Sequence, residues 1–119
     1  VSDMQSLAQD TRSNYGAEAK YLLANYYFTH QQYDAAEKEI FDFIEKGTPH
    51  QQWLAKSFIL LSDVYMQKEN YFEAKQYLLS LKDNYTSNDK EINEAINTRL
   101  EKLRKIESET VVEKTNPVE

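Results

Sequence analysis

Cysteine is absent from this chain of 119 residues, which removes disulfide frameworks and thiolate chemistry and leaves both reducing and oxidising compartments open. Glycine and proline number only two each, and three of those four positions sit where helices start or stop, so a nearly continuous helical reading meets little contradiction. No long apolar run exists. Uncharged stretches such as Tyr21 to Gln32 and Ser57 to Ser62 are too short or too polar for a bilayer, which needs ~20 apolar residues. Positive charge is in deficit, with 14 Lys+Arg against 20 Asp+Glu and a net charge of -6, so phosphate backbones and anionic lipid surfaces are repelled rather than attracted. An initial Met and a basic-then-apolar leader are also missing, and Val1-Ser2-Asp3-Met4 reads as the interior of a longer or processed chain.

What is present is a self-match at a spacing of 38 residues: Ala17, Leu22, Leu23, Tyr27, Tyr33 and Ala36 recur as Ala55, Leu60, Leu61, Tyr65, Tyr71 and Ala74. A fixed period filled by small and aromatic residues at constant offsets marks stacked helical hairpins, each unable to bury its apolar face alone. A chain of this length forms one domain and buries roughly two-thirds of its unfolded surface. The fold class is therefore all-α.

The pattern divides the chain further. Met4, Leu7 and Ala8 suggest a helix over Asp3 to Thr11, the remnant of a preceding repeat within residues 1–16. The first full repeat spans 17–50. Its opening helix runs from Ala17 to Gln31 with apolar stripes on two sides, and its second opens at Tyr33, where Asp34 and Glu37 have capping-box spacing. The acidic run of Asp34, Glu37, Glu39, Asp42 and Glu45 reads as the solvated face of that second helix. Gly47 supplies the stop, and Thr48-Pro49-His50-Gln51 the restart. The second repeat, 51–88, holds a helix from Pro49 to Lys68 and another from Tyr71 to Asn84. Asp89 to Glu107 carries Ile92, Ile96, Leu100, Leu103 and Ile106 among ten charged residues, the narrow stripe of a terminal capping helix at 89–107. Residues 108–119 lack a sustained period and read as a disordered tail.

These spacings resemble the tetratricopeptide repeat. Leu23, Ala24 and Tyr27, then Leu61, Ser62 and Tyr65, match the marks of its helix A. Tyr33, Ala36, Ile40 and Phe43, then Tyr71, Ala74, Leu78 and Leu81, match those of helix B. The resemblance covers Ala17 to about Thr86 and implies a right-handed superhelix of antiparallel hairpins, an α-solenoid. Two departures stand out: Lys20 occupies a position where the family usually carries a large aromatic, and the period of 38 exceeds the usual ~34 by an insertion near Gly47 to Gln51 that predicts a lengthened second helix A. The phrases Ala-Glu-Ala-Lys-Tyr-Leu-Leu-Ala from Ala17 and Lys-Gly-Thr-Pro-His from Lys46 resemble the C-terminal parts of large multi-repeat proteins of Bacteroidetes-type bacteria, which implies an exported, periplasmic or outer-membrane-associated setting.

The resemblance implies a protein or peptide partner bound on the concave surface of the A helices, a non-enzymatic scaffold role. The positions expected to face that groove are Glu18, Tyr21, Asn25, Phe28 and Thr29 in one repeat and Lys56, Ile59, Asp63, Met66 and Gln67 in the next. The alternative is architectural, an end-cap or homodimerising segment of a longer solenoid. A subclass of the family clamps a peptide carboxylate with Lys and Asn; here Asn25 matches, but Tyr21 and Asp63 replace the other donors, and Asp63 would repel the ligand. No catalytic, metal or cofactor site is expected. His30 and His50 lie far apart in turn regions without ligand spacing, and no Gly-rich phosphate cradle exists.

Overall fold

The computed structural model of the chain describes Ala8, residues 10–85 and residues 89–115, the side chains of 110–115 excepted. The described helices are α1 (Asn14–Thr29), α2 (Tyr33–Lys46), α3 (Gln51–Gln67), α4 (Tyr71–Asn84) and α5 (Lys90–Thr115), and no strand occurs among these residues. α1 packs on α2 and α3 on α4; α3 also touches both helices of the first pair, and α5 lies against α4 and α3. The described residues are all-α, as the helical periodicity of the sequence leads one to expect. None of these helices is long and apolar enough to cross a membrane.

Small residues occupy the seams. Ala17, Ala24 and Ala36, and one period later Ala55, Ser62 and Ala74, are all buried, which lets backbones approach while Leu61, Ile40, Phe43 and Leu78 fill the space beside them. The buried Ser57 and Ser62 hydroxyls donate to their own helix at Trp53 O (2.9 Å) and Ile59 O (2.6 Å) and so leave no orphaned polar group in the core. Within the second hairpin the Tyr65 and Tyr77 rings stack with centroids 5.6 Å apart, and Tyr77 also meets Phe58 of α3 and, across the hairpins, Phe41 of α2.

Both hairpins turn the same way. Gln31 and Glu69, one period apart, have φ of 62° and 63°. The Gln32 and Asn70 N–H groups donate to Tyr27 O and Tyr65 O (both 2.8 Å), and the Gln31 and Glu69 N–H groups donate to Phe28 O and Met66 O. Each helix thus ends in a Schellman motif with a non-glycine residue in the left-handed position. The turns ahead of α1 and α3 also touch: Thr11 Oγ1 donates to Gly47 O (2.8 Å), and His50 Nε2 lies 3.1 Å from Arg12 O, its partner one period earlier. The hairpins are stacked in register.

Several boundaries differ from the sequence reading. The helix placed over Asp3 to Thr11 lies mainly outside the described residues; of its members, Ala8 packs against Ala19 and Leu23, while Asp10 and Thr11 belong to a turn. α1 begins at Asn14 rather than Ala17, because Ser13 Oγ caps it by accepting the Gly16 N–H at 2.9 Å. Asp34 and Glu37 form no capping box: Gln32 is the cap residue without a side-chain bond, and both carboxylates turn to Lys68 of the next hairpin. Pro49 stays outside α3, since Thr48 Oγ1 accepts the His50 N–H and Gln51 Nε2 donates to Thr48 O, forming a turn from Gly47 to His50 instead of a lengthened helix start. Gly47 does end α2, with φ of 74°. The polar tripeptide Ser87-Asn88-Asp89 has the composition of a helix start; only Asp89 of it is described, and its Oδ1 accepts the Ile92 N–H. α5 then continues past Glu107 to Thr115, so Ser108 to Thr115 is helical where a disordered tail was expected. No Gly or Pro interrupts it before Pro117, and extending a formed helix costs little. Residues 116–119 of that tail lie outside the described residues.

The acidic run on α2 is not simply a solvated face. Lys20 is buried in α1 with its Nζ 2.6 Å from both Glu39 Oε1 and Asp42 Oδ2 of α2. Lys68, at the end of α3, reaches Asp34 and Glu37, and Tyr65 Oη donates to Glu37 Oε2. Burial pulls the Lys20 pKa down, but its bonds to Asp42 and Glu39 outweigh that and raise it. Lys68 is raised by its bonds to Asp34 and Glu37. The bond from Lys20 holds Asp42 below its ordinary value, whereas for Glu37 burial works upward and the bonds from Lys68 and Tyr65 win, again lowering it.

Two outcomes test this account. An added Cβ at Gly16 would lie 1.6 Å from Asp10 O, so Gly16→Ala should cost about 1–3 kcal/mol or more, whereas Gln31→Gly and Glu69→Gly should each add about 0.5–1 kcal/mol by relieving the left-handed strain, all measured by urea unfolding. Asp42 and Glu37 have lowered folded pKa values, so their stabilisation is complete only above their ordinary values, beyond about pH 5, and is lost as pH falls through the folded values; the raised Lys20 and Lys68 lose theirs only above about pH 10.5. Melting temperature should therefore fall on the acid side first, and Glu37→Gln with Asp42→Asn should flatten that slope.

Candidate functional site

The expected groove residues alternate along α1 and α3 because helical neighbours three and four apart share a face. Tyr21, Lys56 and Ile59 do come together. With Glu91, Ile92, Ala95 and Arg99 of α5 they line a cavity of roughly 220 Å3 between the three helices. Ile59 and Ile92 are buried and form its apolar side, while Tyr21 and Lys56 are half-buried at its margin. Tyr21 packs on Trp53 with centroids 5.8 Å apart, and the Lys56 ammonium sits 4.6 Å over the Trp53 ring. Trp53 is fixed in turn by donating from Nε1 to Asn14 Oδ1 at 3.0 Å.

The other nominated positions are placed differently. Asp63 accepts two bonds from Arg99, Nε to Oδ1 at 2.7 Å and the terminal nitrogen to Oδ2 at 2.9 Å, while Arg99 also donates to Ala95 O. That fork ties α5 to α3 and raises the Arg99 pKa through its bond to Asp63. Met66 packs into the core cluster shared by α3, α4 and α5, and Ile59 is a member of that cluster. The second-repeat half of the expected groove is therefore largely covered by α5, whose apolar stripe of Ile92 and Ile96 needs a partner surface and finds it there. Phe28 packs against Tyr33 with centroids 5.5 Å apart, at the hairpin turn. Glu18 and Asn25 are half-buried on α1; Thr29 and Gln67 are exposed at helix ends, and the Thr29 hydroxyl donates to Tyr26 O.

Burial raises the Tyr21 pKa, with Asp63 adding to the shift and Arg99 opposing it, so the phenol is a neutral hydrogen-bonding group at physiological pH. No cluster of three or more metal-ligating side chains occurs among the described residues. What this arrangement offers chemically is an apolar recess with a rigid aromatic pair and an ammonium at its edge. Trp53, Ala95 and Arg99 were not singled out from the sequence. As the sole Trp, in the first turn of a helix, Trp53 carried a signal; Arg99 carried none, since only the fold brings it to Asp63.

No family model matches this chain, and neither a curated protein nor a solved structure matches it.

The Arg99–Asp63 fork is measurable. Both side chains are about a quarter exposed (29% and 24%), so a double-mutant cycle with Arg99→Gln and Asp63→Asn should return a coupling of about 1–2 kcal/mol in urea unfolding, above the value for fully exposed pairs.

Proposed function

We propose that the chain is a non-catalytic protein-binding module of the tetratricopeptide-repeat kind, a short solenoid that holds a peptide or partner segment at the junction of α1, α3 and α5. The observation that carries this reading is the recess bounded by Tyr21, Lys56, Ile59, Ala95 and Arg99, with Trp53 bracing Tyr21 and Lys56 from behind. Aromatic side chains held by packing lose little entropy on binding and supply most of the contact energy at interface centres. Glu18, Asn25, Phe28, Thr29 and Gln67 extend the surface along the helices in this reading. Ile59, Asp63 and Met66 act through packing and orientation, because α5 already engages them.

Panning a displayed random-peptide library against the full chain tests the proposal, with selected peptides re-measured on Tyr21→Ala and Lys56→Ala. Each variant should weaken binding about tenfold or more, equivalent to about 1.4 kcal/mol, while circular dichroism remains unchanged. Met66 is unsuitable for this purpose, since its removal would also weaken the core. Peptides that bind both variants as tightly as the parent would place the binding surface elsewhere.

A further inference from the structure

The recess at the junction of α1, α3 and α5 carries chemistry that specifies what fits it. At roughly 220 Å3 it is smaller than the ~300–1,000 Å3 of small-molecule sites and holds little more than one side chain. Asp63 meets Arg99, while Lys56, seven residues before Asp63, shares the recess with Ile92, seven residues before Arg99. α3 and α5 therefore run in the same direction across it, and at about 1.5 Å per residue the recess is about 10 Å long, enough for about three residues of extended chain. Ile59 and Ile92 are buried and Ala95 is half-buried, which makes its floor apolar. The polar groups around that floor are mostly donors. Among the described residues the Lys56 ammonium forms no hydrogen bond or ion pair and rests on the Trp53 ring, and the Tyr21 hydroxyl has no hydrogen-bond partner. Arg99 uses three of its five N–H groups on Asp63 and Ala95 O, and Asp63 matches its charge. Lys56 is thus the unmatched cation, and Glu91, exposed on α5, is the one lining carboxylate.

Resting on the binding role proposed above, we infer that the recess takes an extended segment of a partner protein, whose aliphatic side chain enters between Ile59, Ile92 and Ala95 while a neighbouring Asp or Glu side chain pairs with Lys56. A carboxylate accepts what the rim offers, the Lys56 ammonium and the Tyr21 phenol. Trp53 holds both groups in place and is itself fixed by Asn14, so little freedom is lost when the segment binds. Glu91 repels a second carboxylate from the α5 side, and the net charge of -6 disfavours an acidic run, so a single carboxylate beside α3 is specified. At physiological ionic strength the net charge is screened beyond about 8 Å, which leaves the Lys56 contact intact. A side chain supplies the carboxylate rather than a chain terminus, because Asp63 matches Arg99 and no second cation is left for a terminal clamp. The occupant is a separate molecule. Ala8 packs on Ala19 and Leu23, and at about 100° per residue Tyr21 points to the opposite face of α1, so the chain approaches α1 away from the recess. α5 runs 16 residues past Arg99 to Thr115, about 24 Å along its axis, so the chain also leaves α5 far from it.

Random segments of about ten residues, displayed between Gly-Ser arms so that no free terminus reaches the recess, provide the probe. Panned on the full chain, they should enrich an aliphatic residue with Asp or Glu beside it or one position further. On Lys56→Glu the same place should enrich Lys or Arg instead, and on Lys56→Gln, which keeps most of the stem over Trp53, the acidic preference should vanish without reversing. For one enriched segment, Lys56→Glu should weaken binding about tenfold or more, and changing the segment's acidic residue to Lys should restore binding to that variant. Rescue by charge exchange separates a direct contact from lost packing on Trp53, which no change in the segment repairs. Segments that need Tyr21 but show no acidic preference, or an acidic preference that survives both Lys56 variants, would overturn the inference and leave the binding role standing. No enriched segment at all, or segments indifferent to Tyr21→Ala, would overturn both. Sedimentation that showed a dimer dissolved by Lys56→Glu would assign the recess to a second copy and overturn the partner segment.

Discussion

Close approach of helices at small residues is the constraint from which the other features follow. Ala17, Ala24, Ala36, Ala55, Ser62 and Ala74 are buried at the seams, and a larger side chain at any of them would force neighbouring helices apart. Because the seams are narrow, residues beside them must be large, and Phe43, Ile40, Leu61 and Leu78 accordingly fill the gaps. Narrow seams also bring turns one period apart into contact, which is why the carbonyl of Arg12 meets the imidazole of His50. Stacking here is local geometry repeated, with no separate instruction for the global shape.

Charge is arranged around those seams. Lys20 joins α1 to α2, Lys68 joins α3 to α2, Arg99 joins α5 to α3, and Lys75 joins α4 to Glu107 of α5. Such half-buried pairs add little net stability, since desolvation offsets much of the attraction. Their value is registration: a helix slipped by one turn would leave the buried Lys20 ammonium without Glu39 and Asp42. Lys20 and the Glu39–Asp42 part of the acidic run are thus two halves of one device, although each looks like an anomaly or a surface feature on its own.

The two ends of the stack are treated differently. At the C-terminal side, α5 seals the face of α3 with a narrow apolar stripe and a charged outer surface. On the α1 side a stripe of aromatic and aliphatic side chains remains open.

Helix content, the number of hairpins and the small-residue seams were legible in the sequence, because period and side-chain volume are local properties that survive any packing arrangement. So were Gly47 as a stop and the amphipathic final helix. Other features were decided only by tertiary structure. Left-handed Gln31 and Glu69 carry no residue signature, for a Schellman turn tolerates a non-glycine residue when packing of both helices compensates the strain. The partners of Asp34, Glu37 and Asp63 depend on which long side chains of other helices the packing brings within reach, and no spacing in the chain encodes that. Exposure of Leu22 and burial of Leu60, identical residues at equivalent positions, differ because burial belongs to what lies opposite, and only the assembled stack says what that is.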